Sequence, residues 1–211
     1  MNDSLRVQLL KGLVLLLIIL GIVVAILRWQ YVDVVTVGTD AMAPTMFAGD
    51  QVLVWRSTDF DHGDMILCRH PRRQGNWVIG RIIGRPGMAV EMQREQLVIN
   101  GQTVSRDFQG EVQFEDQNTH GLVPFVWGIE ELGEVDHLFM EREERRLTLR
   151  PVSNSTGFYL ISDNRTWVGE DSRTLGPLRH VDCVGWVFMR LSPGGRAPAG
   201  PPGGGWFDIL D

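Results

Sequence analysis

The chain passes from Thr39-Asp40-Ala41-Met42-Ala43-Pro44-Thr45-Met46-Phe47-Ala48-Gly49-Asp50 directly into Gln51-Val52-Leu53-Val54-Trp55. Proline and a Gly-Asp pair interrupt the first stretch, and the second is rich in residues that favour strands. The same alternation of turn signals and short β-type runs continues through the chain. The further runs are Tyr31–Val37, Met65–Cys68, Trp77–Ile83, Leu97–Ile99, Gly157–Ile161 and Val181–Met189. Because no long helical periodicity appears beyond the N-terminal segment, the sequence predicts a mainly β domain that is Greek-key-like or barrel-like.

A hairpin is predicted where Asn100-Gly101 separates Leu97–Ile99 from Thr103-Val104, because this dipeptide suits a two-residue β-turn.

The N-terminal segment contains an unbroken apolar run from Gly12 to Leu27. As a helix this run is roughly 24 Å long at about 1.5 Å per residue, and flanking residues extend it towards the thickness of a bilayer. A cleaved signal peptide is the alternative, but bulky Ile26 and Leu27 stand where small residues precede a cleavage site. The run therefore predicts an uncleaved, single-pass anchor. Arg6 and Lys11 before it favour an N-terminus in the cytoplasm and a domain on the extracytoplasmic side.

Composition narrows the choice of ligands. The formal net charge of −6 gives no reason to expect nucleic acid as a partner. No His/Cys group has metal-ligand spacing, and the sequence indicates neither a metal nor a cofactor. Cys68 and Cys183 both lie in predicted strands, so either a disulfide or two separate buried thiols is compatible with the sequence.

Five segments resemble, in order, the boxes of type I signal peptidases. They are the stretch from Ala41 to Asp50, Gly63–Leu67, Gly80–Gly87, Leu97–Gly101 and Gly157–Arg165 with Asp171–Arg173. The resemblance implies that family's complex β fold, with antiparallel sheets, on one transmembrane helix. It further implies a vestigial peptide groove at Met42, Pro44, Asp64, Met65, Ile66, Ile79 and Ile82. It also implies a structural box formed by Asp163, Asn164, Arg165, Asp171, Ser172 and Arg173.

The residues that perform the family's chemistry are missing from these boxes. Those enzymes use a serine that a neutral lysine amine activates. Ala41 stands at the serine position and Gly80 at the lysine position, while Lys11 of the anchor is the only lysine in the chain. The serine that would steady the lysine is replaced by Val168 or Gly169. We therefore predict a pseudoenzyme without the Ser/Lys dyad.

Three alternatives to a natural pseudoenzyme are compatible with the sequence. Ala41 alone could be an engineered Ser→Ala change, although that would not account for Gly80. Thr39 or Thr45 could supply a hydroxyl, although each is displaced from the aligned nucleophile, and no histidine lies in the lysine box. Asp163 and Asp171 could suggest an aspartic mechanism, but we expect both to hold their loop by hydrogen bonds.

The predicted organisation has four parts: residues 1–30 are the tail and anchor, 31–104 and 155–191 the β core, 105–154 a variable inserted lobe, and 192–211 a Gly/Pro-rich linker with an aromatic-acidic end. In the lobe, glycines at 110, 121, 128 and 133 are read as breaks, Glu130–Leu132 as a short turn, and the charged run Glu141–Arg146 as a solvated loop. The end of the chain either folds back on its own domain or docks on another protein through Trp206, Phe207, Ile209 and Leu210.

These observations predict an accessory or assembly subunit, a scaffold or chaperone, in a membrane protein complex of the inner membrane. Its partners would be the membrane, a membrane protein and an extended peptide. An active signal peptidase of atypical or mutated form, and a structural envelope protein without a groove, are the alternatives.

Overall fold

The computed structural model describes residues 3–93, 96–115, 120–133, 135–142, 152–153, 156–167, 169–201 and 204–210. Contacts divide the chain into two compact units, Met1–Asp33 and Val34–Asp211. The predicted lobe and the predicted C-terminal linker therefore both belong to the same unit as the β core.

Helix α1 spans Asp3–Tyr31. Its segment Arg6–Tyr31 is long and apolar enough to cross a membrane and fits a single-pass anchor. The helix includes Tyr31, which the sequence assigned to the first strand. That strand begins one residue later.

Fourteen strands are found in the described residues. They are β1 (Val32–Thr36), β2 (Gln51–Arg56), β3 (Met65–Arg69), β4 (Trp77–Gly84), β5 (Ala89–Gln93), β6 (Gln96–Ile99), β7 (Gln102–Thr103), β8 (Ser105–Glu115), β9 (Leu122–Leu132), β10 (Val135–Glu141), β11 (Val152–Ser153), β12 (Tyr159–Ile161), β13 (Cys183–Ser192) and β14 (Asp208–Ile209). A short helix α2 covers Ser172–Leu175, and 3-10 turns cover Asp40–Met42 and His180–Asp182. The mainly β class and the predicted strands of the core are confirmed, with ends that shift by up to three residues.

The central sheet has the order β1-β2-β13-β3-β4-β12, and β14 pairs with β13 beside this path. Side chains alternate across it, as the two-residue period of a strand requires. On β3, Met65 and Leu67 enter one hydrophobic cluster, whereas Ile66 and Cys68 enter another.

The two cysteines, whose state the sequence left open, form a disulfide. Cys68 on β3 and Cys183 on β13 are register partners, and their Cα atoms are 3.9 Å apart.

The predicted hairpin at Asn100-Gly101 joins β6 to β7, within a second sheet of order β11-β5-β6-β7 in the described residues. Both turn residues have positive φ, 51° at Asn100 and 81° at Gly101. This is the backbone that a two-residue turn between twisted strands needs.

The inserted lobe, predicted at residues 105–154, contains more regular strand structure than the sequence indicated. Strands β10-β9-β8 form a third antiparallel sheet, and Glu130–Leu132 ends the long strand β9 instead of forming a turn. Gly110 and Gly128, read as breaks, lie inside β8 and β9. A Cβ on Gly128 would stand 2.3 Å from the carbonyl oxygen of Asp107, so this glycine permits close approach of the strands. Within the charged run, Glu141 ends β10, and residues 143–146 lie outside the described part of the chain.

The Gly/Pro-rich end is not a free linker where it is described. The backbone N–H of Gly194 donates to Asp50, and Arg196 pairs with Asp40 at 3.1 Å. Strand β14 follows, with Asp208 paired to Arg190 at 2.9 Å. Of the two alternatives for the end of the chain, the structure therefore favours folding back on its own domain.

Candidate functional site

The segment around Ala41 is a tight turn held by carboxylates. Asp40 accepts a hydrogen bond of 2.8 Å from the N–H of Ala48, and Asp50 accepts one of 3.0 Å from Phe47. These bonds satisfy backbone donors in the loop that follows the 3-10 turn Asp40–Met42. Ala41 is buried within this turn, and its carbonyl oxygen accepts a hydrogen bond of 2.9 Å from the N–H of Asn164. The opening box, from Ala41 to Asp50, is thereby joined to the late box, Gly157–Arg165 with Asp171–Arg173.

Gly80 lies on β4, the strand that packs against the 3-10 turn of Ala41. The two positions where the nucleophile and base would stand thus lie on contacting elements. A Cβ on Gly80 would lie 3.0 Å from Cβ and 3.4 Å from Cδ1 of Leu160. Because Leu160 packs so close, a side chain at this position would require Leu160 to move by a few tenths of an ångström.

Arg81, next to Gly80, forms a buried ion pair with Asp163. Its Nε and Nη2 atoms donate to the two carboxylate oxygens at 2.9 Å each, and its Nη1 donates to the carbonyl of Gly63 at 2.8 Å. The hydroxyl of Thr45 donates to the same carboxylate at 2.5 Å. Burial raises the pKa of Asp163, but the charge and hydrogen bonds of Arg81 outweigh burial and hold that pKa below its ordinary value.

A second buried ionic group lies beside the first. Glu130 of β9 accepts hydrogen bonds from Arg165 and from Arg106, the latter at 2.7 Å. The Nε2 atom of His137 on β10 lies 3.2 Å from Glu130 and 4.0 Å from Asp163. Burial opposes the charge on Glu130, yet Arg165 and its neighbours hold the pKa of that carboxyl well below its usual range. Burial, and then the charge of Arg81, lower the pKa of His137.

Sequence reasoning missed Glu130 and His137, because it placed them in a lobe without a role. Arg165, which the sequence did assign to the structural box, contacts both Glu130 and His137. Strand phase carried a signal that could have found Glu130. Gly128, Glu130 and Leu132 are buried at alternate positions of β9, and a charged residue in that phase must have a partner.

Hydrogen bonds between its own residues stabilise the late box. Asp171 caps α2, accepting from the backbone N–H of Arg173 at 3.0 Å and of Ser162 at 3.1 Å. Ser172 accepts a hydrogen bond of 2.8 Å from the N–H of Leu160. Arg173 returns bonds to Asp171 and to the carbonyl oxygens of Arg165 and Trp167. Asp171 thus accepts hydrogen bonds within the loop, whereas the carboxylate of Asp163 accepts from Thr45 and Arg81 outside it. Val168 lies outside the described residues, and Gly169 offers no side chain there.

The side chains assigned to a vestigial groove belong mostly to the core. Met42 and Met65 are buried in one cluster, and Ile66 and Ile82 in the other. Pro44 is also buried, whereas Asp64 and Ile79 are half-buried. Burial, the largest effect, raises the pKa of Asp64. Because strand alternation sends Met65 and Ile66 to opposite faces, these residues do not line one common groove.

One strand edge of the described core lacks a strand partner on its outer side. Along Trp77–Ile79, β4 pairs with β3, and its pairing with β12 on the other side begins only at Arg81. Among the described strands, none pairs with that outer edge of Trp77–Ile79.

The predicted docking residues at the C-terminus divide into two groups. Leu210 is only 7% exposed and packs with Val37 and Met42, so its assignment to a docking surface was wrong. Its burial follows from the pairing of β14 with β13. Trp206, Phe207 and Ile209 remain exposed, each by about two thirds of its surface.

Comparison with known proteins agrees with this arrangement. Residues 10–192 match the family model described as signal peptidase, peptidase S26. Signal peptidase I of Pseudomonas aeruginosa is 27% identical over 186 residues, which cover 78% of this chain and 63% of that protein. Signal peptidase I V of Bacillus subtilis is 24% identical over 151 residues, covering 70% of this chain and 78% of that protein. The chain thus spans less than two thirds of the length of the Pseudomonas relative. With its boxes in order and its family model matched over most of its length, the chain belongs to the signal peptidase S26 family.

Proposed function

We propose that this chain is a member of the signal peptidase family without peptidase activity, which serves as an accessory or assembly subunit of a membrane protein complex. One observation carries the proposal. At the two positions that define the family's chemistry, Ala41 offers no hydroxyl and Gly80 offers no amine, and Leu160 packs against the space where a lysine would begin. The chain's only lysine, Lys11, belongs to α1. A nucleophile and its base are both needed for acyl transfer of this kind.

An active peptidase of atypical form is the alternative, and two observations favour it. The relatives are named signal peptidases, and Thr45 places a hydroxyl against a buried carboxylate. The carboxylate is a poor base, however, because Arg81 keeps its pKa low. Thr45 is also only 7% exposed and its hydroxyl is bonded to Asp163, which disfavours placing its oxygen about 3–3.5 Å from a peptide carbonyl.

In this proposal the N-terminal helix α1 anchors the chain in the membrane. Helix α1 would span the inner membrane, with Arg6 and Lys11 on the cytoplasmic side by the positive-inside rule. The β domain would then lie on the extracytoplasmic side, in an oxidising compartment that suits the Cys68–Cys183 disulfide.

Two surfaces of the domain support a binding role. The outer edge of β4 at Trp77–Ile79 offers unpaired strand backbone, to which an extended peptide could add. Trp206, Phe207 and Ile209 expose apolar side chains on a segment fixed by Arg190 and Asp208. Aromatic side chains held on a rigid element are favoured at protein interfaces. We assign this patch to contact with a membrane-protein partner.

A membrane pull-down with matched variants tests the binding role. The full chain is captured from solubilised membranes in three forms: the unchanged chain, a triple Trp206→Ala, Phe207→Ala and Ile209→Ala variant, and a Leu122→Ala control. Leu122 is 72% exposed on β9, away from the patch in sequence. We expect one partner that the triple variant loses and the control retains. An identical partner set for all three forms would remove the patch from the proposal.

A further inference from the structure

A cavity of about 710 Å³ lies between the β3–β4 connection and the segment before β13. Its volume is in the range typical of small-molecule sites, roughly 300–1,000 Å³. The residues that matter to its chemistry are Arg69, His70, Trp77, Leu178, Arg179 and Asp182. They differ from the residues that form the ionic groups around Asp163 and Glu130, so this cavity is separate from those groups, and Trp77 alone is shared with the strand edge Trp77–Ile79.

The walls of the cavity are held in place by the chain itself. Arg72, in the β3–β4 connection, donates a hydrogen bond of 2.9 Å to the carbonyl of Thr174, which lies 102 positions later in the chain. The N–H of His70 donates to the carbonyl of Asn76 at 2.9 Å, which closes the connection into a compact loop. The Cys68–Cys183 disulfide joins the strands immediately beside Arg69 and Asp182. The cavity is therefore preformed, which reduces the entropy lost when a ligand binds.

His70 contributes an unmet donor to this wall. Its Nδ1 atom accepts hydrogen bonds of 3.1 Å from the backbone N–H groups of Arg72 and Arg73, so we assign the proton of the neutral ring to Nε2. The side chain is only 8% exposed, and no acceptor among the described residues lies within hydrogen-bond distance of Nε2. A buried N–H without an acceptor is costly. Because solvent does not reach this atom, the ring must shift towards the cavity before an anionic ligand can accept from it, and such a bond would relieve the cost.

The charged side chains that line the cavity also favour an anionic ligand. Arg69 and Arg179 line it with Asp182, and Arg179 neutralises that carboxylate through bonds of 2.7 and 3.0 Å. Arg69 therefore adds a positive charge that Asp182 does not cancel alone, and Arg72 and Arg73 belong to the same loop. This cationic site stands out in a chain whose net charge is −6. Guanidinium groups recognise carboxylate and phosphate through paired N–H donors.

We propose that this cavity binds a small organic anion. Its carboxylate or phosphate group would lie against Arg69 and the Nε2–H of His70, and its apolar or planar body would pack on Trp77 and Leu178. Trp77 is 47% exposed and presents an aromatic surface, whereas Leu178 closes the apolar side. The proposal does not depend on whether the chain is catalytically inert.

Calorimetric titration of the full chain in detergent tests the proposal with four probes. Phenyl phosphate and benzoate carry an anion and a ring, inorganic phosphate carries the anion alone, and benzyl alcohol carries the ring alone. We expect the two aromatic anions to bind, inorganic phosphate to bind at least about tenfold more weakly, and benzyl alcohol not to bind. Which aromatic anion binds more tightly distinguishes a phosphate site from a carboxylate site.

Variants then locate the binding. Arg69→Gln and Trp77→Ala should each weaken binding about tenfold or more. Arg85→Gln, which removes an exposed arginine paired with Asp61 elsewhere, should leave affinity unchanged. His70→Asn keeps an acceptor for the two backbone N–H groups but loses the Nε2 donor, so it should weaken binding while the melting temperature holds. If His70→Asn fails to fold, the Arg69 and Trp77 variants still decide. Absence of binding by both aromatic anions, or equal losses in the Arg69 and Arg85 variants, would overturn the proposal.

Discussion

The Thr45 hydroxyl and the Asp163 carboxylate are joined by a hydrogen bond of 2.5 Å, between residues separated by 118 positions in the chain. Arg81 holds the same carboxylate with two further bonds. Thr45 therefore fastens the opening box to the late box, and the low pKa of Asp163 suits an acceptor of fixed charge better than a proton-transfer group.

Replacing Thr45 with valine should destabilise the fold. The change keeps the shape of the side chain but removes a hydrogen bond to a charged acceptor, and we expect the free energy of unfolding to fall by about 1.5–3 kcal/mol. Urea denaturation of the full chain measures this. Thr39→Val is the matched control, because Thr39 donates to Glu170 at 2.9 Å in a half-buried setting and should cost less. Equal stability of the Thr45 variant and the unchanged chain would contradict the fastening role.

Glu130→Gln should be among the most damaging single changes. Glu130 is fully buried between Arg165 and Arg106, so removing its charge leaves cations without their counter-ion. We expect a loss of about 3–5 kcal/mol in the free energy of unfolding. Glu111→Gln, at an exposed position of β8, should change stability by less than about 0.5 kcal/mol. Similar losses for the two variants in the same denaturation experiment would show that the buried group does not stabilise the fold.

Stability should decline in acid in two stages. The unfolded chain should protonate His137 near its ordinary pKa of 6.5, whereas the folded chain resists protonation, so stability declines as the pH falls through 6.5. Glu130 and Asp163 have folded pKa values below their ordinary 4.5 and 3.8. Their contribution is therefore complete above these values and is lost as the pH falls below them.

Melting temperatures measured from neutral pH down to about pH 2 separate the two stages. His137→Gln should remove the upper stage, and His120→Gln should leave it in place because His120 is 80% exposed. An upper stage that persists in the His137 variant would rule out this histidine as its cause.

The end of the chain provides a test with two adjacent residues. Leu210→Ala should cost about 2 kcal/mol, because Leu210 is buried against Val37 and Met42. Ile209→Ala should cost no more than about 0.5 kcal/mol, because Ile209 is 68% exposed. Thermal unfolding of the two variants is the measurement. Equal and negligible effects would mean that β14 does not dock on the domain in solution.

The sequence predicted the elements whose signals are local. The strand runs, the Asn100-Gly101 turn and the apolar length of α1 depend on neighbouring residues, and the ordered boxes indicated the fold family. The positions of Ala41 and Gly80 on contacting elements also followed from that order.

What the sequence did not predict depends on pairing between distant residues. Gly128 was read as a break because composition alone does not show that β8 approaches it too closely for a side chain. The end of the chain was read as a linker because the ion pair of Arg190 with Asp208 joins residues that no local pattern connects. Glu130 was missed for the same reason, since its partner Arg165 lies 35 positions away. Likewise, the sequence did not show that both faces of the central sheet are covered. It therefore did not predict that Met65 and Ile66 would both be buried, on opposite faces.

The central claim is that a signal peptidase fold is present here without peptidase chemistry. The most direct test incubates the purified full chain in detergent with a preprotein that carries a small-x-small cleavage site. Signal peptidase I of Pseudomonas aeruginosa serves as the positive control, and Ala41→Ser and Thr45→Val variants are run beside the unchanged chain. We expect no mature product from any form of this chain, including Ala41→Ser, because Gly80 supplies no amine to activate the new hydroxyl. Cleavage by the unchanged chain at the small-x-small site, lost in Thr45→Val, would contradict the claim and identify Thr45 as the nucleophile.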